Sequence, residues 1–363
     1  MNTRDFRHRS IRWLAPLSLW GSLIAPAIAA LPVVGRNDFA GSAQCAACHR
    51  DIASVQTTSE HARSLRKVAG IPGLAQALPL RFSDQDNGVE YRIERSNRPE
   101  FAFDLVAVKG QRTERLRLIW GFGAGRKGIT FVGRTDAGEF GESRVSWYPK
   151  INGLDITTGG EPENVSNAHG ALARWFEPER RKACFACHVT RQADVSPDRI
   201  EEANAGVRCE RCHGPGGKHI EAVSRGTGSG DLAIGNPGKL RATEQLQFCG
   251  DCHRLPSEDF SRVILNKATI RFPAQRLVLS RCYDESEGRL KCTTCHNPHE
   301  DLAQSPPYYD QKCRSCHASK VSLGSLCPVS TQNCVSCHMP REPLMKHADF
   351  ADHWIRKVRT AHP

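Results

Sequence analysis

Cys184-Phe-Ala-Cys187-His188 is followed, 25 residues on, by Cys209-Glu-Arg-Cys212-His213, and the pentapeptide they share sets the architecture of the chain. Five more copies flank them: Cys45-Ala-Ala-Cys48-His49 upstream, then Cys249-Gly-Asp-Cys252-His253, Cys292-Thr-Thr-Cys295-His296, Cys313-Arg-Ser-Cys316-His317 and Cys334-Val-Ser-Cys337-His338. At this chain's Cys and His frequencies chance supplies about 0.03 matches, so seven are a built feature. Cys-x-x-Cys-His is the attachment signature of a c-type haem. Its two thiols form thioethers to the vinyl groups, and the adjoining histidine is the proximal iron ligand. Zinc ribbons draw four ligands from two Cys pairs and have no use for a histidine after every second Cys. Thioredoxin-like pairs stand singly on a βαβ frame that the sequence lacks. The motifs predict seven covalently bound haem c groups, each with its iron.

The composition agrees. Of 363 residues, 39% are hydrophobic and 7% aromatic, against 16 Cys and 15 His. That excludes a polytopic membrane protein and is lean for an apolar-cored enzyme. Haem faces are large and apolar, so seven of them supply core that side chains do not. The expected fold is therefore mostly α and irregular, a multihaem cytochrome c fold with a haem-filled core.

Residues 1–29 read as a signal peptide. Arg4, Arg7, Arg9 and Arg12 precede an apolar stretch over 14–30, and Ala27-Ile28-Ala29 offers a small-residue cleavage site near Ala29 or Ala30. Pro16 and Pro26 interrupt the stretch, which falls short of the ~20 residues a membrane span needs. No Cys sits just after the site, which argues against a lipoprotein. The expected location is periplasmic, with peripheral membrane contact open. Removing the leader lowers the net charge from +11 to +8. Two propionates on each of seven haems bring about fourteen negative charges, which a cationic chain offsets. Export and the lack of a Lys/Arg run with interleaved aromatics argue against nucleic acid. Gly121-Phe-Gly-Ala-Gly-Arg-Lys-Gly lacks the Walker spacing and a Ser/Thr after Lys, so it reads as hairpin glycines and no nucleotide is expected.

A second axial ligand makes a haem an electron carrier, and an open position lets a substrate bind. Outside the motifs and the leader stand His61, His169, His219, His299, His347, His353 and His362. All but the penultimate His362 are expected as distal ligands, giving mainly bis-His irons. His299 lies three residues after His296, and ~10 Å of chain cannot round a porphyrin edge, so it serves another haem. The same holds for His219, six residues after His213. His61 is placed in a helix over 59–69 ended by Gly70. His347 and His353, six apart on a helix, differ by about 600° and point to different haems. If His362 does not ligate, Met345 or water completes the last iron.

The first motif stands 139 residues before the second, whereas the other six crowd into 184–338. Between His61 and His169 the chain has neither Cys nor His, and it alternates in Glu90-Tyr-Arg-Ile-Glu-Arg, Phe101-Ala-Phe-Asp-Leu-Val-Ala-Val and Arg115-Leu-Arg-Leu-Ile-Trp. The expected organisation is a haem 1 segment over 30–81, a small antiparallel β subdomain inserted over 82–150, and a haem 2–7 cluster over 151–363. Cys282 and Cys327, even in number and exported, are expected to form a disulfide.

The chain resembles periplasmic multihaem cytochromes related to the tetrahaem carrier of hydroxylamine oxidation. The stretches concerned are Gly41-Ser-Ala-Gln-Cys-Ala-Ala-Cys-His with Ser59-Glu-His-Ala-Arg-Ser, Gly206-Val-Arg-Cys-Glu-Arg-Cys-His-Gly-Pro-Gly, Cys292-Thr-Thr-Cys-His-Asn-Pro-His, Cys334-Val-Ser-Cys-His-Met-Pro and His347-Ala-Asp-Phe-Ala-Asp-His353. The resemblance implies that the histidines of the Pro-His and Asp-His elements are distal ligands. The haem count departs from the tetrahaem relative. No motif has Lys for His, the mark of nitrite-reducing pentahaem enzymes. The first expectation is an electron carrier between a membrane quinol-oxidising cytochrome and a soluble or outer-membrane acceptor. The alternatives are a haem oxidoreductase acting on a small nitrogen or sulfur compound at one five-coordinate iron, with no catalytic residue named, and a structural subunit docking through the β insert.

Overall fold

Row by row, the alternating stretches build one antiparallel sheet. The structure, a computed structural model, describes residues 38–159, 165–192, 197, 200–226, 232–256, 259–317 and 327–358. The expected signal peptide and His362 lie outside them. Nine strands make the sheet: β1 Leu65–Lys67, β2 Leu80–Asp84, β3 Val89–Arg95, β4 Phe103–Lys109, β5 Arg112–Phe122, β6 Ile129–Arg134, β7 Phe140–Tyr148, β8 Gly153–Ile156 and β9 Ala173–Trp175. Strands β2 to β8 pair in chain order as a meander; β1 joins the far end of β5, and β9 joins β7. Strand β2 comes round to meet β8, so the sheet curls almost shut.

Period-two alternation puts one face of each strand inward. Leu80 pairs with Ile93, Ile93 with Leu105 and Leu105 with Leu116, an unbroken apolar row across four strands. With Tyr91, Phe131, Val145 and Trp147 they fill the interior. Each such side chain contributes about 1.5–3 kcal/mol by leaving water. The helix Ala168–Leu172 plugs this interior: Ala171 and Leu172 are fully buried, and the Tyr91 hydroxyl donates to the Ala171 carbonyl at 2.9 Å. The other face of the sheet carries Leu65, Trp120, Val132 and Phe140, packed against Phe185 and Val189 of the second motif's segment.

The expected mostly α chain with a small β insert is thus corrected. The sheet runs from Leu65 to Trp175, well past 82–150, and holds a side-chain core of its own. Four of its strands, β1, β2, β8 and β9, are three to five residues long, too short to show a period in sequence. The segment 59–69 is also not a helix. It turns through 57–64 into β1, because Gly121–Phe122 of β5 offer it a ladder.

The remaining described residues form short helices and turns. The hairpin β10 Arg341–Met345 and β11 Ala348–Ala351 follows the last motif, with His347 in its turn rather than on a helix. Among the described residues no helix is long and apolar enough to cross a membrane. Cys282 and Cys327 are unpaired. Cys282 is half-buried beside Cys295 and Cys316, while Cys327 is exposed near Lys357, so the expected disulfide is absent.

Candidate haem-binding centre

Each motif sits on one helical turn, which brings thiols three residues apart to the same side. The helices are Ser42–Cys48, Pro178–Ala186, Cys209–His213, Ala242–His253, Cys292–Cys295, Pro306–His317 and Cys334–His338, with the first, second and fifth motifs running past their helix ends.

The motif histidines meet other histidines in twos. Ring centres stand 6.3 Å apart for His49 and His219, 6.2 Å for His61 and His253, 6.0 Å for His213 and His299, and 6.1 Å for His296 and His353. Each pair unites one motif histidine with one non-motif histidine. With a metal–nitrogen bond of about 2 Å and roughly 1.1 Å more to the ring centre, two imidazoles on opposite sides of one iron stand about 6 Å apart. His169 is closer to Trp175, with ring centres 4.2 Å apart, and is paired with no motif histidine among the ring contacts of the described residues.

Which nitrogen faces the centre is also set. Nδ1 of His61, His213, His219, His353, His188 and His338 lies 2.8–3.1 Å from the carbonyl of Pro298, Gly235, Leu232, Ala351, Ser64 and Arg356 respectively. A proton held on Nδ1 leaves the Nε2 lone pair free for a metal. Burial pulls the His253 pKa down to about 4, with His61, His296 and His188 adding to the fall. Burial, then His296, pulls His353 to about 4 as well. Both imidazoles are neutral, the form that ligates. His253 nevertheless keeps an accessible surface, which fits a side chain lining interior space.

Long-range contacts place these histidines. Val207 donates to the His61 carbonyl at 2.9 Å, and Gly206 (φ +82°) passes so close that a Cβ would fall 2.0 Å from the Ala62 oxygen. Arg63 pairs with Asp301 at 2.9 Å on the far side. His353 follows Asp352, whose buried carboxylate takes two bonds from Arg276 at 2.6 and 2.8 Å and one from Arg356 at 2.7 Å. Burial pushes the Asp352 carboxyl up, but these donors and the Trp354 N–H hold it below its ordinary value. Sequence inspection missed Arg276 and Asp352. Only the Asp-His element hinted at them.

Other expected ligands are placed elsewhere. His347 turns its Nε2 to Asp155 at 2.7 Å and packs on Tyr148. His169 lies flat on Trp175 with Nε2 3.7 Å from Glu139. His188 stands against Phe122, ring centres 5.0 Å apart, with no described histidine across from it. His317 and His338 end their helices, and His338 faces no described partner histidine at the spacing above.

The residues fit haem. Buried polar atoms of Arg63, Ser64, Arg66, Arg211 and Tyr283 have no partner among the described residues, as donors to propionates require. Ile52 and Val55 beside His49, Ile220 and Val223 beside His219, and Phe248 and Leu255 beside Cys249–Cys252 leave apolar surface bare, which suits a porphyrin face. Among the described residues no three His, Cys, Asp or Glu converge as on a bare metal ion.

A family model described as cytochrome c554 and c-prime matches residues 159–214, the stretch holding the second and third motifs. Multiheme cytochrome MtrA of Shewanella baltica (strain OS185) is 25% identical over 172 residues, covering 36% of this chain and 49% of that protein. The chain thus spans about half the length of the curated relative it matches. The solved structure titled Crystal Structure of Outer Cell Wall Cytochrome OcwA aligns over 88% of this chain and 80% of that one, at 17% identity and a TM-score of 0.49.

Proposed function

We propose that this chain is a periplasmic heptahaem c-type cytochrome, kin to the carriers of hydroxylamine oxidation, passing single electrons between redox partners. The family match and the similarity to MtrA support a multihaem c-type cytochrome with covalently bound haem c that transfers electrons. The fitting partners are a membrane quinol-oxidising cytochrome and a soluble acceptor. One observation carries the reading: four histidine pairs at 6.0–6.3 Å, each made of one motif and one distant histidine.

Haem c, when bound, supplies an iron that changes between ferric and ferrous without a bond to substrate being made. The chain does the rest. Fourteen motif cysteines anchor the groups: Cys45, Cys48, Cys184, Cys187, Cys209, Cys212, Cys249, Cys252, Cys292, Cys295, Cys313, Cys316, Cys334 and Cys337. His219, His61, His299 and His353 would hold the irons together with His49, His253, His213 and His296, and irons so held would take up no small molecule. The Nδ1 bonds of His61, His213, His219 and His353 to backbone carbonyls fix the tautomer and raise ligand basicity. Arg63, Arg66 and Arg211 offset propionate charge.

His219→Ala tests this directly. Its oxidised protein gains one high-spin EPR signal, and its reduced protein binds one more equivalent of carbon monoxide than wild type. Unchanged spectra and unchanged binding overturn the pairing. A second reading, an oxidoreductase for a small nitrogen or sulfur compound, is favoured by His188, across from which stands Phe122 and, among the described residues, no histidine. One equivalent of carbon monoxide bound by the wild-type protein puts that reading first.

A further inference from the structure

Neighbouring motifs are tied by named contacts, and the ties have an order. Glu210 in the third motif receives the Ala40 and Gly41 N–H groups at 2.7 and 2.8 Å, fixing the start of the first motif's helix. The Cys209 thiol reaches Ser42 on that helix at 3.7 Å. Arg211, also in the third motif, donates to the Cys252 sulfur of the fourth at 3.7 Å. Gln245, on the fourth motif's helix, accepts from the Thr293 N–H inside the fifth at 3.1 Å. Tyr309, on the sixth motif's helix, stands edge-on to His296 of the fifth, ring centres 5.9 Å apart. Asp310 on that same helix accepts from the Asn333 and Cys334 N–H groups, both at 2.8 Å, which seats the seventh motif.

The second motif has no place in this line. Its Cys187 thiol reaches the Asp251 carbonyl in the fourth motif at 3.9 Å, and its Ala186 carbonyl accepts from Arg211 of the third at 3.4 Å. Its other side is occupied, since Phe185 packs on Phe122 and is fully buried against the outer face of the sheet. Sequence order and spatial order therefore differ at this motif.

We infer that the haem sites stand in space in the order 1–3–4–5–6–7, with site 2 a spur where sites 3 and 4 meet. The inference rests on the heptahaem reading and adds to it a route. One electron from a ferrous donor protein enters at one end, the first or the seventh motif, and one electron leaves to a ferric acceptor at the other. Site 2, held against the sheet, can charge or discharge through the junction without lying on the through route. Residues 184–188 are thus dispensable to end-to-end transfer, whereas residues 249–253 are not.

Anomalous diffraction at the iron edge from crystals of the mature, haem-loaded protein reads the order without any variant. The expected map has seven irons. The iron beside His253 has those beside His213, His296 and His188 around it, and the irons beside His49 and His338 lie at opposite ends. An iron at His188 lying between those at His49 and His213, or an iron at His317 away from that at His296, overturns the order. Fewer than seven irons overturns the heptahaem reading instead, and the order of those present is judged separately.

Discussion

Residues 65–175 and residues 178–356 bury apolar side chains to very different degrees. Among the described residues, the first region holds twenty-seven of the thirty-nine buried apolar side chains, although it is the shorter. Of the thirteen large apolar side chains left exposed among the described residues, only Ile151 lies in it. The sheet closes its own core, with Leu80, Ile93, Leu105 and Leu116 side by side. The motif-rich region leaves Ile220, Phe248, Leu255 and Leu265 bare and is tied by hydrogen bonds between motifs. The first region is therefore cored by side chains, and the second fits a core built on a covalent apolar group. A lean overall composition conceals this division, because it averages two regions built on different principles.

The largest effect of a single substitution is expected in the motif-rich region, where little packing compensates. Asp352→Ala leaves Arg276 buried and unpaired, which costs about 3–5 kcal/mol. Thermal melting reads that loss, and EPR reads the release of His353 as one new high-spin haem. A pH dependence follows from the same group. The folded Asp352 pKa lies below its unfolded value of about 3.9, so its contribution is fully present above that value. It is lost as pH falls through the lower folded pKa. Melts at pH 6 and pH 3 should therefore converge in the variant relative to wild type. Equal wild-type and Asp352→Ala stabilities at pH 6 break the account of this pair.

In the sheet the expected effect is smaller and of another kind. Leu105→Ala removes one link of the apolar row and costs about 3 kcal/mol. Haem content and the EPR spectrum should stay as in wild type, since the side chain touches no motif. A change in spin state would erase the distinction between the two regions.

Much of the site is legible in the sequence, because a haem motif is local: five residues on one turn carry the whole signal. Chain reach alone also separates His299 and His219 from their own motifs, and their rings stand across from His213 and His49. What long-range contacts decide is not legible. His347 has Asp155 as its neighbour, 192 residues away, and His169 has the Trp175 face; neither partner leaves a pattern beside the histidine. The extent of the sheet was hidden for a related reason. Strand Leu65–Lys67 exists because β5 continues to Phe122 and offers it a ladder, so its own three residues carry no period. The alternation of Val89–Arg95 and Phe103–Lys109, by contrast, is long enough to read directly.

The most direct test compares the mature protein with the same chain made without cytochrome c maturation, by hydrogen exchange resolved along the sequence. Strong protection of strands Val89–Arg95, Phe103–Lys109 and Arg112–Phe122 in both forms is the predicted result. The helices Ala242–His253 and Pro306–His317 should then be protected only when haem is attached. Equal protection of those two helices in the colourless chain would contradict the account, because their core would be shown to need no cofactor.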